Sequence, residues 1–168
     1  MAFTLEDARI MVEKGLSGLD LPDDPPELYE PIRYILNVGG KRLRPSLLLV
    51  ACSLFSDKPQ QALPAALAVE IFHNFTLLHD DIMDKAPLRR NQPTVHEKWN
   101  ENVAILSGDV MSIYAYRLLA GIPSNRLKPV MKIFNQTATE VCEGQQMDMN
   151  FESASSVSVD DYLRMIRM

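Results

Sequence analysis

Apolar residues recur along this chain at the three-to-four-residue spacing of amphipathic helices, and no stretch of useful length alternates with the period of two that marks a half-buried strand. Residues 4–16 form the first such segment. Pro22, Pro25 and Pro26 break the chain before a second, from about Glu27 to Asn37, which stops at Gly39-Gly40, a glycine stop signal. A third begins near Pro45, a residue suited to a first helical turn, and carries Leu47, Leu48, Leu49 and Val50 toward a core. Beyond Asp57-Lys58-Pro59 a long helix is predicted over about 61–84, and Pro87 and Pro93 mark a loop after it. A short helix over 94–100, a long apolar one over 101–120 and another over about 125–150 follow. The serine-rich stretch 153–158 reads as a linker, and Val159-Asp160-Asp161-Tyr162 opens a last helix. That helix stops in mid-pattern at Met168 after about two turns, which predicts that the sequence is a piece of a longer chain. No internal repeat is found, and the predicted class is all-α.

With 168 residues, 46% hydrophobic and 23% charged, the chain is long and apolar enough for one domain with a substantial core. Its net charge of −5 argues against nucleic acid as the principal partner. Cys52 and Cys142 are too few and too far apart for a disulfide framework, and no His/Cys cluster suggests zinc. The N-terminus lacks a basic region followed by an apolar run, and no stretch is read as approaching the roughly 20 apolar residues of a membrane span. The expected setting is the reducing cytoplasm.

Chemistry is concentrated in His79-Asp80-Asp81-Ile82-Met83-Asp84 and in Leu88-Arg89-Arg90 just after it. Three carboxylates so close together repel one another, and the apolar run before them (Ile71, Phe72, Phe75, Leu77, Leu78) predicts a buried helix, so a cation should stand beside them. Asp80 and Asp84, four residues apart, lie on one helix face, about 5.4 Å from each other along the axis. That arrangement suits magnesium, which takes one or two carboxylates together with water and phosphate oxygens. Taken alone, an acidic helix end beside a basic loop is more readily a solvated surface.

Two further elements change this picture. Gly39-Gly40-Lys41-Arg42-Leu43-Arg44-Pro45 gathers three cations in a glycine-supported turn, the kind of backbone that lets a phosphate approach. His73 precedes Asp80 by seven residues and Asp84 by eleven, which keeps all three within about 20° of one stripe. Lys41, Arg44, His73, Arg89 and Arg90 together would neutralise a diphosphate beside a magnesium site.

These motifs, with Pro93-Thr94-Val95-His96, Gly108-Asp109 and Gly144-Gln145-Gln146-Met147-Asp148, resemble in kind and order the trans-isoprenyl diphosphate synthase (polyprenyl synthetase) family. The resemblance implies an antiparallel helix bundle of the isoprenoid synthase type, one domain over 1–168 with its C-terminal half absent. It implies head-to-tail prenyl transfer, in which isopentenyl diphosphate is joined to an allylic diphosphate through a magnesium-stabilised allylic cation. Asp80 and Asp84 then bind magnesium (Mg2+) on the allylic diphosphate, Asp81 completes the motif, and Arg89 contacts the same diphosphate. Lys41, Arg44, His73 and Arg90 match the positions that hold isopentenyl diphosphate, while Gln145 and Asp148 lie on a further helix near the metal cluster. The family is typically homodimeric, and the helix over 101–120, apolar nearly all round, needs cover on more than one side.

Thr76 and Phe75, four and five residues before Asp80, occupy the positions that limit chain length in this family. A bulky Phe75 with an uninserted aspartate motif looks most like short-chain synthases making farnesyl or geranylgeranyl diphosphate. Two features depart from the family pattern. Asn91 stands where a glycine is usual after Arg90, and the family's Lys-Thr pair and second aspartate-rich motif are absent from this sequence. On that ground the chain by itself is expected to be inactive. The competing readings are a terpene cyclase, which needs no basic 39–45 loop, a non-catalytic partner subunit, which needs none of Asp80, Asp84, Arg89 and Arg90, and an inert folded fragment.

Overall fold

The computed structural model describes residues 3–168, which fall into two compact units, one ending at Ile122 and the other covering Pro123–Met168. The first contains α1 (Leu5–Ser17), α2 (Pro26–Asn37), α3 (Leu43–Ser53), a 3-10 turn (Pro59–Ala62), α4 (Leu63–Met83), a two-stranded hairpin of β1 (Leu88–Arg89) and β2 (Gln92–Pro93), a single turn α5 (Val95–Lys98) and α6 (Glu101–Ala120). The second contains α7 (Ser124–Glu152) and α8 (Val159–Ile166). The fold is all-α apart from the hairpin.

Local chemistry accounts for most boundaries. Thr4 caps α1 through a reciprocal box: its hydroxyl accepts from the Asp7 amide at 3.1 Å, and its own amide donates to the Asp7 carboxylate at 2.9 Å. Ala8, Val12 and Leu16, spaced by four, turn into the core. Pro26 supplies the first turn of α2, and the helix ends where Gly39 adopts φ +84°. The third helix begins at Leu43, two residues earlier than Pro45 suggests, because Arg42 takes a left-handed backbone (φ 47°, ψ 33°) at its N-cap.

The centre of this unit is the pairing of α4 with α6. Ala66, Ala68, Ile71 and Leu78 of α4 and Ala104, Met111, Ala115 and Leu119 of α6 are buried. His79, near the end of α4, meets Ile105 and Gly108, near the start of α6, so the two helices run antiparallel. Gly108 is required by this approach, since a Cβ there would lie 2.5 Å from the His79 Nε2. The sequence reading that no stretch reaches membrane-span length is corrected by α6, whose 20 residues are long and apolar enough by length and composition. Its packing against α4 and its Glu101, Asp109 and Arg117 identify it as a core helix of this unit.

In the second unit, α8 is capped by Ser158, whose hydroxyl accepts from the Asp161 amide at 3.1 Å. Gly144 of α7 lies against the end of the chain, where an added Cβ would meet Met168 Cβ at 3.1 Å.

Candidate active site

A cationic hollow of about 520 Å³ opens between the loop after α2, the middle of α4 and the tip of the hairpin. Lys41, Arg44, His73 and Arg90 line it together with Gly40, Arg42, Leu43 and Glu70. Among the described residues, Lys41, Arg44 and Arg90 make no salt bridge, so their charge is directed into the hollow rather than neutralised. Arg42 behaves differently from its neighbours. It is buried, and its guanidinium donates to Glu70 at 2.7 Å and to Glu13 at 3.1 Å. Three cations are expected in this turn from the sequence; two of them face the pocket and the third is spent inside the protein.

His73 is half-buried among these cations. Burial first, then the positive charge of Arg44, with smaller effects of Arg90 and Arg89, hold its imidazole below its ordinary pKa, while Glu70 acts in the opposite direction. The lowered pKa favours the neutral ring near pH 7.

The hairpin sends two adjacent arginines in different directions. Leu88 pairs with Pro93 and Arg89 with Gln92, leaving Arg90 and Asn91 as the two-residue turn, both left-handed at φ 53° and φ 62°. That is the backbone of a tight turn matched to strand twist, and asparagine tolerates it better than most side chains. Asn91 thus meets the same conformational demand that glycine would. Arg90 points back to the pocket and lies against Gly40, where a Cβ would fall 2.6 Å from its Nη1. Arg89, on the strand, turns instead to the aspartates.

There the three carboxylates separate. Asp81 is 2% exposed and accepts from the Arg89 Nε with both oxygens, at 2.9 Å each. The same guanidinium comes within 3.7 Å of Asp80, which is partly exposed, and Asp84 is exposed at the C-cap of α4. The expectation of a buried triplet is therefore corrected: Asp81 continues the buried stripe of Leu67, Ile71, Asn74 and Leu78, while Asp80 and Asp84 share another face and stay accessible. The cation expected beside the carboxylates is Arg89, whose own pKa is raised, chiefly by its hydrogen bonds to Asp81.

Comparison with known proteins bears on this arrangement directly. The polyprenyl synthetase profile matches residues 25–168, which span both the cationic pocket and the aspartates. The chain belongs to the polyprenyl synthetase family. It is 45% identical over 144 residues to the geranylgeranyl diphosphate synthase of Methanosarcina mazei, covering 84% of this chain and 44% of that protein. It is 44% identical over 146 residues to the short chain isoprenyl diphosphate synthase of Methanocaldococcus jannaschii, covering 86% and 44%. A crystal structure of geranylgeranyl pyrophosphate synthase superposes with a TM-score of 0.93 at 49% identity, over 97% of this chain and 50% of that one. The chain thus spans about half the length of the relatives it matches.

The remaining residues singled out by the family motifs are less concentrated. Phe75 turns toward α6: its ring meets the His79 ring edge-on at 4.7 Å and lies 3.4 Å from where a Gly108 Cβ would be. The Thr76 hydroxyl donates to the His73 carbonyl at 2.8 Å. Gln145 and Asp148 share α7 in the second unit, one half-buried and one exposed. Sequence reasoning missed Glu70, Gly40 as the seat of Arg90, and His79 as the brace of Phe75. A lone glutamate inside the apolar run 63–78 is the signal that points to Glu70, because a buried charge requires a partner.

Proposed function

We propose that this chain carries the isopentenyl diphosphate pocket and the first aspartate-rich half of the metal site of a short-chain, cytoplasmic trans-prenyltransferase. The observation that carries the reading is the hollow itself, in which three cations that make no salt bridge among the described residues converge with an imidazole of lowered pKa. In this reading Lys41, Arg44 and Arg90 hold the diphosphate of isopentenyl diphosphate, and His73 completes the set. Arg89, oriented by Asp81, donates to the allylic diphosphate. Roles for Gln145 and Asp148 rest on their match to the family motif alone.

Asp80 and Asp84 offer hard oxygen donors one turn apart at the open end of α4, a set that fits magnesium drawing its other ligands from phosphate and water. Among the described residues no group of three or more His, Cys, Asp and Glu is arranged to hold a metal, and Asp81 is engaged by Arg89. When bound, the metal supplies positive charge to a departing diphosphate. Arg89 contributes to the same stabilisation from the protein, as a fixed donor that needs no reorganisation.

A terpene cyclase has no use for a second phosphate pocket, and a purely regulatory subunit has no use for one with unspent charge, so neither reading accounts for the hollow. Phe75 and Thr76 are proposed as the chain-length positions of a farnesyl or geranylgeranyl diphosphate synthase. A homodimer is proposed through the face of α6 that exposes Ile105, Leu106, Ile113 and Tyr116. Light scattering tests it: a dimer that Ile113→Glu converts to monomer is expected, and a monomeric parent at high concentration contradicts it.

The activity is tested in the protein expressed from its full reading frame, with isopentenyl diphosphate, an allylic diphosphate and magnesium. Condensation that Asp80→Ala reduces by orders of magnitude is expected, and undiminished turnover in that variant overturns the reading. Product analysis adds a check on Phe75, since Phe75→Ala is expected to lengthen the product and an unchanged length removes Phe75 as the stop.

A further inference from the structure

Arg42 sits between Lys41 and Arg44 and contributes nothing to the open charge of the pocket they share. Its side chain is 2% exposed and touches three elements at once. Nε donates to Glu13 of α1, Nη1 to Glu70 of α4, and Nη2 to the Leu36 carbonyl in the last turn of α2. Its partner Glu70 is also buried and receives the Asn74 amide at 3.2 Å.

The backbone at Arg42 is left-handed, a conformation that L residues other than Asn and Asp seldom adopt. Such a backbone persists only where the surroundings over-determine it. Here the surroundings are the three acceptors. The consequence for the loop is geometric. With residue 42 reversed into the core, the residues on either side emerge on the pocket side, and Lys41 and Arg44 line the hollow together with His73, three residues beyond Glu70 on the same helix. A buried ion pair is a weak source of net stability compared with apolar residues of the same volume, and its better-attested use is to fix one arrangement.

We propose that Arg42 and Glu70 form a positioning clip for the anion pocket, fastening the loop after α2 to α4 so that Lys41 and Arg44 converge on the anion that His73 contacts. The clip rests on the reading of the pocket as a diphosphate site. Neither residue is a catalytic residue: both act through Lys41 and Arg44.

The charge of Glu70 makes the inference separable from simple electrostatics. Removing a carboxylate from the wall of a cationic pocket should tighten anion binding if only Coulomb attraction matters. The clip requires the reverse. The test is calorimetric titration of the 168-residue chain with inorganic pyrophosphate in metal-free buffer, for the unmodified chain, Lys41→Ala, Glu70→Gln and the double variant Arg42→Met/Glu70→Leu. Glu70→Gln keeps the shape and one acceptor for Arg42, and the double variant replaces the pair by apolar residues of similar volume. The unmodified chain is expected to bind, with Lys41→Ala weaker by about tenfold or more. Glu70→Gln should be weaker by about threefold or more, and the double variant weaker by about tenfold at an unchanged or higher melting temperature. Amide exchange should quicken over residues 38–44 and not over α6. Pyrophosphate binding by Glu70→Gln as tight as in the unmodified chain, or tighter, overturns the clip, and this variant decides alone if the double variant does not fold. A folded unmodified chain that binds no pyrophosphate overturns the diphosphate reading instead.

Discussion

The cationic pocket and the aspartate cluster lie on the same helix, and they solve opposite electrostatic problems. In the pocket like charges are held together with no salt bridge among the described residues: Lys41 comes from the loop after α2, Arg44 from the first turn of α3 and Arg90 from the hairpin turn, and the one arginine that could relax among acidic partners, Arg42, is turned inside to do so. At the end of α4 the cluster is already partly neutralised from within, Arg89 bonding Asp81 and approaching Asp80, while Asp84 faces solvent. The first region is proposed to receive a polyanion as it stands. The second presents two accessible carboxylates, Asp80 and Asp84, which are proposed to take a metal cation. Arg89 and Arg90, neighbours in sequence, belong to different regions only because a two-residue turn separates a strand position from a turn position.

The largest effect that breaks this contrast should come from Arg89. Arg89→Ala leaves the Asp81 carboxylate buried without its partner, a change that typically costs about 3–5 kcal/mol, and urea denaturation should register a loss of that order. Asp81→Asn, which keeps a polar group for Arg89 and buries no charge, should cost less; equal costs would mean that the charge of Asp81 is immaterial. On the pocket side, Arg44→Ala should leave stability within about 0.5 kcal/mol, because the side chain is exposed. It should weaken pyrophosphate binding by about tenfold, the range of one charge-assisted hydrogen bond.

These two regions were unequally legible in the sequence. Helical periodicity located every long helix, because apolar spacing is imposed by burial and is written along the chain. The cationic set Lys41, Arg44, His73 and Arg90, proposed to bind an anion, could also be gathered from motifs, and the structure brings those four to one hollow. Asp81, rather than Asp80 or Asp84, turns inward because it continues the stripe of Leu67, Ile71, Asn74 and Leu78; the expectation of a buried triplet weighed the apolar run as a whole rather than its one buried face. Arg42 was indistinguishable from its cationic neighbours for a different reason: its direction is fixed by a left-handed backbone and by acceptors 6 to 29 residues away. The hairpin escaped notice because strands of two residues leave no room for an alternating pattern.

Smaller effects sharpen the account. Asn91→Ala, at a left-handed turn position, should cost about 1 kcal/mol and loosen the hairpin that carries both arginines. Asn91→Gly should cost less than that, which thermal unfolding of the pair would reveal.

The pH dependence follows from His73. Its folded pKa lies below the value of about 6.5 that it has when unfolded, so the folded chain binds fewer protons in that window. Its contribution to stability is therefore present above about pH 6.5 and is lost as pH falls below it. An anion in the pocket opposes Arg44, Arg90 and Arg89 and adds to the effect of Glu70, raising the imidazole toward protonation. Pyrophosphate binding near pH 7 should then take up a fraction of a proton, detectable by calorimetry in buffers of different ionisation enthalpy and diminished in His73→Gln. Equal uptake in both chains would remove His73 from the site.

The most direct test of the difference between the two regions is pyrophosphate titration without metal, comparing the chain with Asp80→Asn/Asp84→Asn and with Lys41→Ala/Arg44→Ala. Binding by the unmodified chain and by the aspartate variant alike, with loss of about a hundredfold in the pocket variant, is the result that a self-sufficient pocket and a metal-dependent cluster require. Loss of binding in the aspartate variant with binding retained in the pocket variant would contradict it.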